Sequence, residues 1–246
     1  VKAAFDPGTH IGGSLSAIDI LVALYLHLLK IDSKNPDWEN RDRFIMSKGH
    51  VAFALYIVLA KKGLISFDDL KQYDKLGNYL STHPSRKLRG VDFSTGSLGH
   101  GLSAGVGMAI ISKRENKNFK VYVMLGDGET QEGQIWEAFM AASYHNLENL
   151  HVIIDRNRIQ NDDFVNVQME IGDIAAKVES FGWNVKEIDG HDMSHIVEAL
   201  QWSIGTAGPC AIIAHTIKGK GVSFMEDNPS FHGKAPTDEE LQKAME

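Results

Sequence analysis

Apolar residues recur at helical spacing from Ser14 to Lys30, and Ser14 or Ser16 is placed to cap that helix. Phe44 to Met46 is a short apolar run that predicts a strand. Val51 to Lys62 is apolar around most of its circumference, which predicts a central helix. Ser66 to Gly77 reads as a capped surface helix. Asn78 to His100 is rich in Gly, Ser, Thr and His and has no period, so it predicts a loop, and loops of that length tend to be functional. Leu102 to Lys113 returns to helical spacing.

Strands and helices then alternate. Val121–Leu125, His151–Asp155, Asn184–Ile188 and Cys210–His215 predict strands; Trp136–His145, Ile171–Phe181 and Ser194–Thr206 predict helices. This alternation implies an α/β fold, an open parallel sheet with helices on both faces. Gly219 to Pro236 reads as a loop-rich tail, and Thr237 to Met245 as a last helix capped by Thr237. The length fits one large domain over residues 1–246.

Composition narrows the partners. The net charge of −7 is spread without long runs, so no nucleic-acid partner is expected. A single cysteine, Cys210, excludes an internal disulfide and suits a reducing cytoplasm. The longest apolar run, Ile18 to Leu29, is broken by Asp19 and His27, and it falls short of the roughly 20 residues that cross a bilayer. No membrane partner is expected. The sequence begins at Val1, and no signal peptide is read in it.

The strongest chemical signal is Leu125-Gly126-Asp127-Gly128, followed about thirty residues later by Asp155-Arg156-Asn157-Arg158-Ile159. Each segment closes a predicted strand, and ligands of open parallel sheets bind beyond the carboxyl ends of the strands. Magnesium takes near-octahedral oxygen ligands, often only one or two of them side chains. Asp127 offers a charged oxygen, Asn157 an amide oxygen, and a nearby backbone carbonyl a third. Gly126 and Gly128 let backbone N–H groups approach a phosphate, and the helix starting near Glu132 points its positive end there. Gly-Asp-Gly alone is also an ordinary turn. Glu132 could equally be a helix-dipole partner or an interface carboxylate.

Eleven histidines are many for this length. His10, His50, His83, His100 and His232 lie in loops beside or near glycine, where they can donate to phosphate and substrate hydroxyls and do some acid–base work. A lone loop histidine is more often a surface residue. None has zinc-site spacing. His27, His145 and His151 read as structural, and His191 and His195 as capping or surface residues. His215 ends a strand and either faces the site or packs.

Four ordered motifs carry a family resemblance: Asp42 to His50, Ser94 to Gly99, Gly126 to Gly133 and Asp155 to Ile159. Together they resemble the N-terminal, diphosphate-binding region of transketolase, from about His10 to His232. The resemblance implies a thiamine diphosphate-binding fold. Asp127, the Asn157 side chain and the Ile159 carbonyl would hold Mg2+ or another divalent cation such as Ca2+ or Mn2+. Gly128, His50, His232 and the Gly96-Ser97-Leu98 turn would contact thiamine diphosphate. His10, His50, His83 and His232 would line the substrate channel, with His10 and His232 assisting proton transfers. Glu132 would sit at the contact between chains, and Ile217 against the thiazolium ring.

The chain departs from the common pattern at Ser97, at His100 and in Thr9-His10-Ile11-Gly12-Gly13. Those variants resemble split transketolases, in which two chains share the enzyme. The resemblance therefore implies a partner, the C-terminal subunit with the pyrimidine-binding domain, in an α2β2 heterotetramer. It also implies sugar substrates, with ketol transfer between a ketose and an aldose. Three other readings are a non-catalytic cofactor-binding subunit, 1-deoxyxylulose-5-phosphate synthase-like chemistry suggested by His215 to Gly221, and the α chain of a 2-oxo acid dehydrogenase.

Overall fold

The computed structural model describes residues 10–246. The expectation about the start at Val1, and Thr9 of the first histidine motif, lie outside them. Five strands form one parallel sheet: β1 (Arg43–Met46), β2 (Val121–Gly126), β3 (Leu150–Arg156), β6 (Asn184–Asp189) and β7 (Cys210–His215). Their spatial order is β1-β2-β3-β7-β6. β4 (Ile159–Gln160) and β5 (Asp163–Phe164) make a separate two-stranded hairpin just after β3, and a single helical turn, α5 (Val165–Gln168), follows it.

Helices cover both faces. On one lie α1 (Ile11–Ala23), α2 (Ala52–Lys62) and α7 (Met193–Gly205); on the other lie α3 (His100–Arg114), α4 (Gly133–Tyr144) and α6 (Ile174–Ser180). The chain steps one way across the sheet from β1 to β6 and then back to β7. Right-handed crossovers therefore send α7 to the face opposite α3, α4 and α6. Alternate side chains of one strand serve the two cores: Tyr122 and Met124 face α1, α2 and α7, whereas Val121, Val123 and Leu125 face α3 and α4. Because β2 is buried on both faces, it reads in sequence as a continuous apolar run. Each such side chain contributes roughly 1.5–3 kcal/mol of burial.

The first helix runs on through a π-helical turn, Leu24–Leu28. Among the described residues, Ile11–Leu28 is the one helix long and apolar enough to cross a membrane. Here it is a core helix: Ala17, Ile20, Leu21 and Leu24 are buried against the sheet and α2.

Several expectations need correction. The first helix starts at Ile11, not at a serine cap. Ser14 sits inside it and donates to the His10 carbonyl at 3.0 Å, while Ser16 donates to Asp155. Ser66–Gly77 is not a helix; only a 3-10 turn forms at Asp69–Gln72. Ser66 and Asp69 do exchange capping bonds, but Asp74 and Gly77 adopt positive φ and Leu76 is fully exposed. A second turn would bury nothing. The helix expected from Ile171 begins at Ile174, because the Asp173 side chain caps it by accepting from the Ala176 N–H. Thr237 caps α8 (Asp238–Met245) in a capping box with Glu240.

The segment between Asn78 and His100 is irregular, as expected, but firmly tied. Leu80, Leu88 and Val91 are buried. The Tyr56 hydroxyl on α2 donates to the Ser81 and His83 carbonyls. The Asp92 carboxylate accepts from both Arg41 Nη atoms and from the Phe44 N–H, which fixes the loop to the edge of β1.

Candidate cofactor cleft at the strand ends

The carboxyl ends of β2, β3 and β7 open into a cleft of ≈ 480 Å³. In the register Gly126 lies beside Asp155, and Asp155 beside Ala214, so Asp127, Asn157 and Thr216 leave the sheet at one level. Asp127 is buried and accepts from the Gly128 N–H at 2.8 Å and from the Arg158 N–H at 2.6 Å. Burial and the Asp155 charge push its carboxyl up to about 6, against those two bonds. The Asn157 amide oxygen accepts from the Ile159 N–H, and its amide nitrogen donates to Asp155 and Ser16.

Asp155 is the cleft's buried anchor. It accepts from Ser16 at 2.6 Å, from the Lys48 ammonium at 2.5 Å and from the Thr216 hydroxyl. Burial opposes its ionisation, but Lys48 and the two hydroxyls outweigh burial and hold the carboxyl below its ordinary value. One carboxylate thus ties together α1, the β1 end and the β7 end.

Glu129 plays the same part on the other wall. It accepts from Ser47 Oγ at 2.5 Å, from the Gly99 N–H at 2.8 Å and from the Gly126 N–H at 3.1 Å. That fixes the Gly96-Ser97-Leu98 turn against Ser47 and Lys48. Gly49 permits the approach: a Cβ there would meet Thr95 Oγ1 at 2.7 Å and the Gly96 nitrogen at 2.8 Å.

Three imidazoles form a triangle at the cleft. The rings of His10 and His50, and of His10 and His232, are 5.2 Å apart, and those of His50 and His232 are 5.5 Å apart. Burial, reinforced by Lys218, His10 and Lys48, lowers His232 to about 3. His50 is held well below its ordinary value by burial and by Lys48. Both rings are neutral at pH 7.

Two buried ammonium groups stand beside the triangle, Lys48 and Lys218, at 1% and 2% exposure. Lys48 pairs with Asp155. Lys218 has no carboxylate within ion-pair distance among the described residues. Its ammonium donates to the Ile159 carbonyl at 3.2 Å and to His232 Nδ1 at 2.5 Å. Burial lowers it to about 7, with Lys48 acting in the same direction. A buried cation without a counter-ion is costly, and an anionic ligand would relieve it.

Over residues 3–246 the chain matches the family described as "Transketolase, thiamine diphosphate binding domain". The chain belongs to the transketolase family. It is 42% identical over 238 residues to one of the subunits of the apulose-4-phosphate transketolase of Phocaeicola vulgatus, covering 96% of this chain and 84% of that one. It is 41% identical to a 6-deoxy-6-sulfo-D-fructose transketolase subunit of a Clostridium species, covering 96% and 86%. Against human transketolase it is 39% identical over 220 residues, covering 89% of this chain and 35% of that one. The Campylobacter jejuni transketolase structure superposes with a TM-score of 0.93 at 34% identity, covering 99% of this chain and 39% of that one. The chain therefore spans most of the two bacterial subunits but only about two fifths of the Campylobacter transketolase.

In this member of the transketolase family, Asp127, Asn157, Ile159, Gly128, Gly96, Leu98, Glu132, His10, His50 and His232 all line one cleft. Others lie apart. Ser97 is exposed on the far side of its turn. His83 backs the wall: its ring packs against Gly96 and its Nδ1 is 3.1 Å from Thr82 Oγ1. Ile217 lines a neighbouring depression with Arg156, His191 and His215, not this cleft. Among the described residues no three acidic, His or Cys groups are placed to hold a metal ion by themselves.

Lys48, Lys218, Glu129, Asp155 and Thr216 received no role in the cleft from the sequence, and Ser16 only that of a helix cap. Lys48 closely follows a strand buried to its last residue, and Lys218 one buried up to its exposed last residue His215, in Ser47-Lys48-Gly49 and Ile217-Lys218-Gly219. A lysine so close to the end of a buried strand was the available signal. The serine and threonine carried none.

Proposed function

We propose that this chain is the cofactor-anchoring subunit of a split transketolase. Joined to a pyrimidine-domain partner, it transfers a two-carbon ketol unit from a ketose to an aldose. The observation that carries this reading is Lys218, a buried ammonium without a carboxylate partner, facing a loop-walled cleft beside Asp127 and Asn157. Two relatives whose names make each of them one subunit of an apulose-4-phosphate transketolase support the division into two chains.

The residues suit a magnesium diphosphate. The donor set is all oxygen, as magnesium prefers. The Ile159 carbonyl already faces a positive charge, the Lys218 ammonium. Asp127, Asn157 and the Ile159 carbonyl would hold the cation. Lys218, His50, His232 and the N–H groups of Gly128 and of the Gly96–Leu98 turn would take the diphosphate oxygens. Thiamine diphosphate, when bound, supplies the nucleophilic thiazolium carbon that ketol transfer requires. His10, His50 and His232 are close enough to share a proton with a sugar oxygen, and a neutral ring such as His50 or His232 can accept one as it stands. His83 supports the wall behind Gly96. Glu132 and Met169 are exposed at the open rim, where a partner's surface would close the cleft. An α2β2 assembly follows if each cofactor sits between one copy of each chain.

The site test is Asp127→Ala. Magnesium-dependent thiamine diphosphate binding, measured calorimetrically on the assembled complex, should be lost with the circular dichroism spectrum retained. Unchanged affinity would sink the metal assignment. The reaction test is a ketol-transfer assay on the chain co-expressed with its partner. A pair that decarboxylates pyruvate but moves no ketol from any ketose phosphate is not a transketolase.

A further inference from the structure

His191 carries none of the roles above, yet it bridges two segments of the cleft wall. It follows β6 in Asp189-Gly190-His191-Asp192. Its Nδ1 is 2.8 Å from Asp19 Oδ2 on α1, and its Nε2 is 2.9 Å from the Ile217 backbone nitrogen. A backbone N–H can only donate, so Nε2 holds a lone pair. The ring proton therefore sits on Nδ1 and points at Asp19. Only the neutral Nδ1–H ring satisfies both partners: a second proton on Nε2 would face the Ile217 N–H. A flipped ring would point carbon at both.

The geometry assigns His191 as a positioning residue for the Thr216–Lys218 segment. Ile217 lies between two residues that face inward. Thr216 donates to Asp155, and Lys218 reaches the Ile159 carbonyl and His232. The last sheet bond of the segment is the Thr216 N–H donating to the Arg156 carbonyl at 3.3 Å; beyond it, Ile217 and Gly219 are fixed from the turn after β6 and from α1. Asp19 holds Ile217 through His191, and the Gly12 carbonyl accepts from the Gly219 N–H at 3.0 Å. The turn bearing His191 is packed too closely to drift. The Gly190 N–H donates to the His215 carbonyl, and a Cβ on Gly190 would meet Thr216 Cγ2 at 2.5 Å. Asp189 accepts from the His191 N–H at 2.8 Å, which fixes the backbone from which the ring projects. The ring thus clamps the segment midway between the two side chains that enter the cleft. The functional consequence, that His191 sets where the Lys218 ammonium meets the diphosphate, rests on the cofactor reading above.

Three measurements decide it. In nitrogen-15 spectra of the ligand-free chain, His191 should show a protonated Nδ1 and a bare Nε2 at pH 7; a proton on Nε2 overturns the inference. In His191→Ala the Ile217 amide should exchange about 100-fold faster with solvent, with β3 amides unchanged. An Ile217 amide as protected as in the unsubstituted chain overturns it, whether or not the cleft takes thiamine diphosphate. With magnesium and the partner chain present, His191→Ala and Lys218→Met should each weaken thiamine diphosphate binding about 10-fold or more, and the double variant should be no weaker than Lys218→Met alone. Losses that multiply would show that His191 does not act through Lys218, and overturn it. Failure of the unsubstituted complex to bind thiamine diphosphate sinks the cofactor reading, and the spectra and exchange rates still decide the clamp.

Discussion

Lys218 Nζ lies 3.2 Å from the carbonyl oxygen of Ile159, so a buried ammonium covers one of the three oxygens proposed to ligate the metal. A cation bound at that oxygen would repel the ammonium, and an incoming phosphate would be its natural destination. The residue is thus costly to the ligand-free fold and useful to the loaded one. Lys218→Met should make the ligand-free chain more stable in thermal unfolding, because it removes a buried amine whose desolvation the Asp155 and Asp127 charges only partly offset. The same variant should bind thiamine diphosphate weakly. A variant that is both less stable and unaffected in binding would contradict this account.

Glu129 accepts from three donors, Ser47 Oγ and the Gly99 and Gly126 N–H groups. Glu129→Gln turns one acceptor oxygen into an NH2 group that must face a donor. The expected loss is about 1–3 kcal/mol of stability. Cofactor affinity should fall with it, since the Gly96–Leu98 turn loses its anchor. Denaturant unfolding and calorimetry on the same preparation check both.

Asp92 should matter to the cleft from outside it. Its carboxylate joins Arg41, Arg43 (Nε at 3.7 Å) and the Phe44 N–H and is 5% exposed. Asp92→Ala leaves two arginines and an N–H without their acceptor, at roughly 3 kcal/mol. Proteolysis should then nick the segment between residues 78 and 99 first, and thiamine diphosphate affinity should drop even though the site residues are intact.

His151 predicts an acid limb of the stability curve. It is 1% exposed, stacks on Tyr122 with ring centroids 4.8 Å apart, and neither ring nitrogen has a hydrogen-bond partner among the described residues. Burial, with a smaller effect of Lys120, lowers it from 6.5 to about 3. Between those values the unfolded chain binds the proton and the folded chain does not, so stability is lost as pH falls from 6.5 towards 3. At pH 5 this loss is roughly 2 kcal/mol. His151→Phe keeps the stack and should flatten the limb by that amount in urea titrations at pH 7 and pH 5.

The parallel sheet was legible because β2, β3 and β7 are buried on both faces and each carries a continuous apolar stretch, Val121–Leu125, Val152–Ile154 and Cys210–Ala214. Asp127 and Asn157 were legible because each follows such a stretch after one or two intervening residues. The Ser66–Gly77 segment misled because Ser66 and Asp69 do form a helix-like start, and nothing in the local pattern reveals that Leu76 finds no core. Ser16 misled for the opposite reason: a serine near a helix start suggests a cap, but its partner is Asp155 from β3. The tertiary partners of His191 are likewise invisible in its neighbours Gly190 and Asp192. Side chains whose role is to join distant segments leave little local trace, and most of the polar scaffold of this cleft is of that kind.

The bond from Ser16 to Asp155 spans 139 positions, and the one from the Gly219 N–H returns to Gly12. The first helix therefore completes a pocket whose floor is synthesised long after it. On the ribosome, that helix can pack on α2 early, but Ser16 and Gly12 wait for their partners until β3 and the segment after β7 emerge. A ligand that needs both walls of the cleft can be captured only after the segment following β7 has left the exit tunnel.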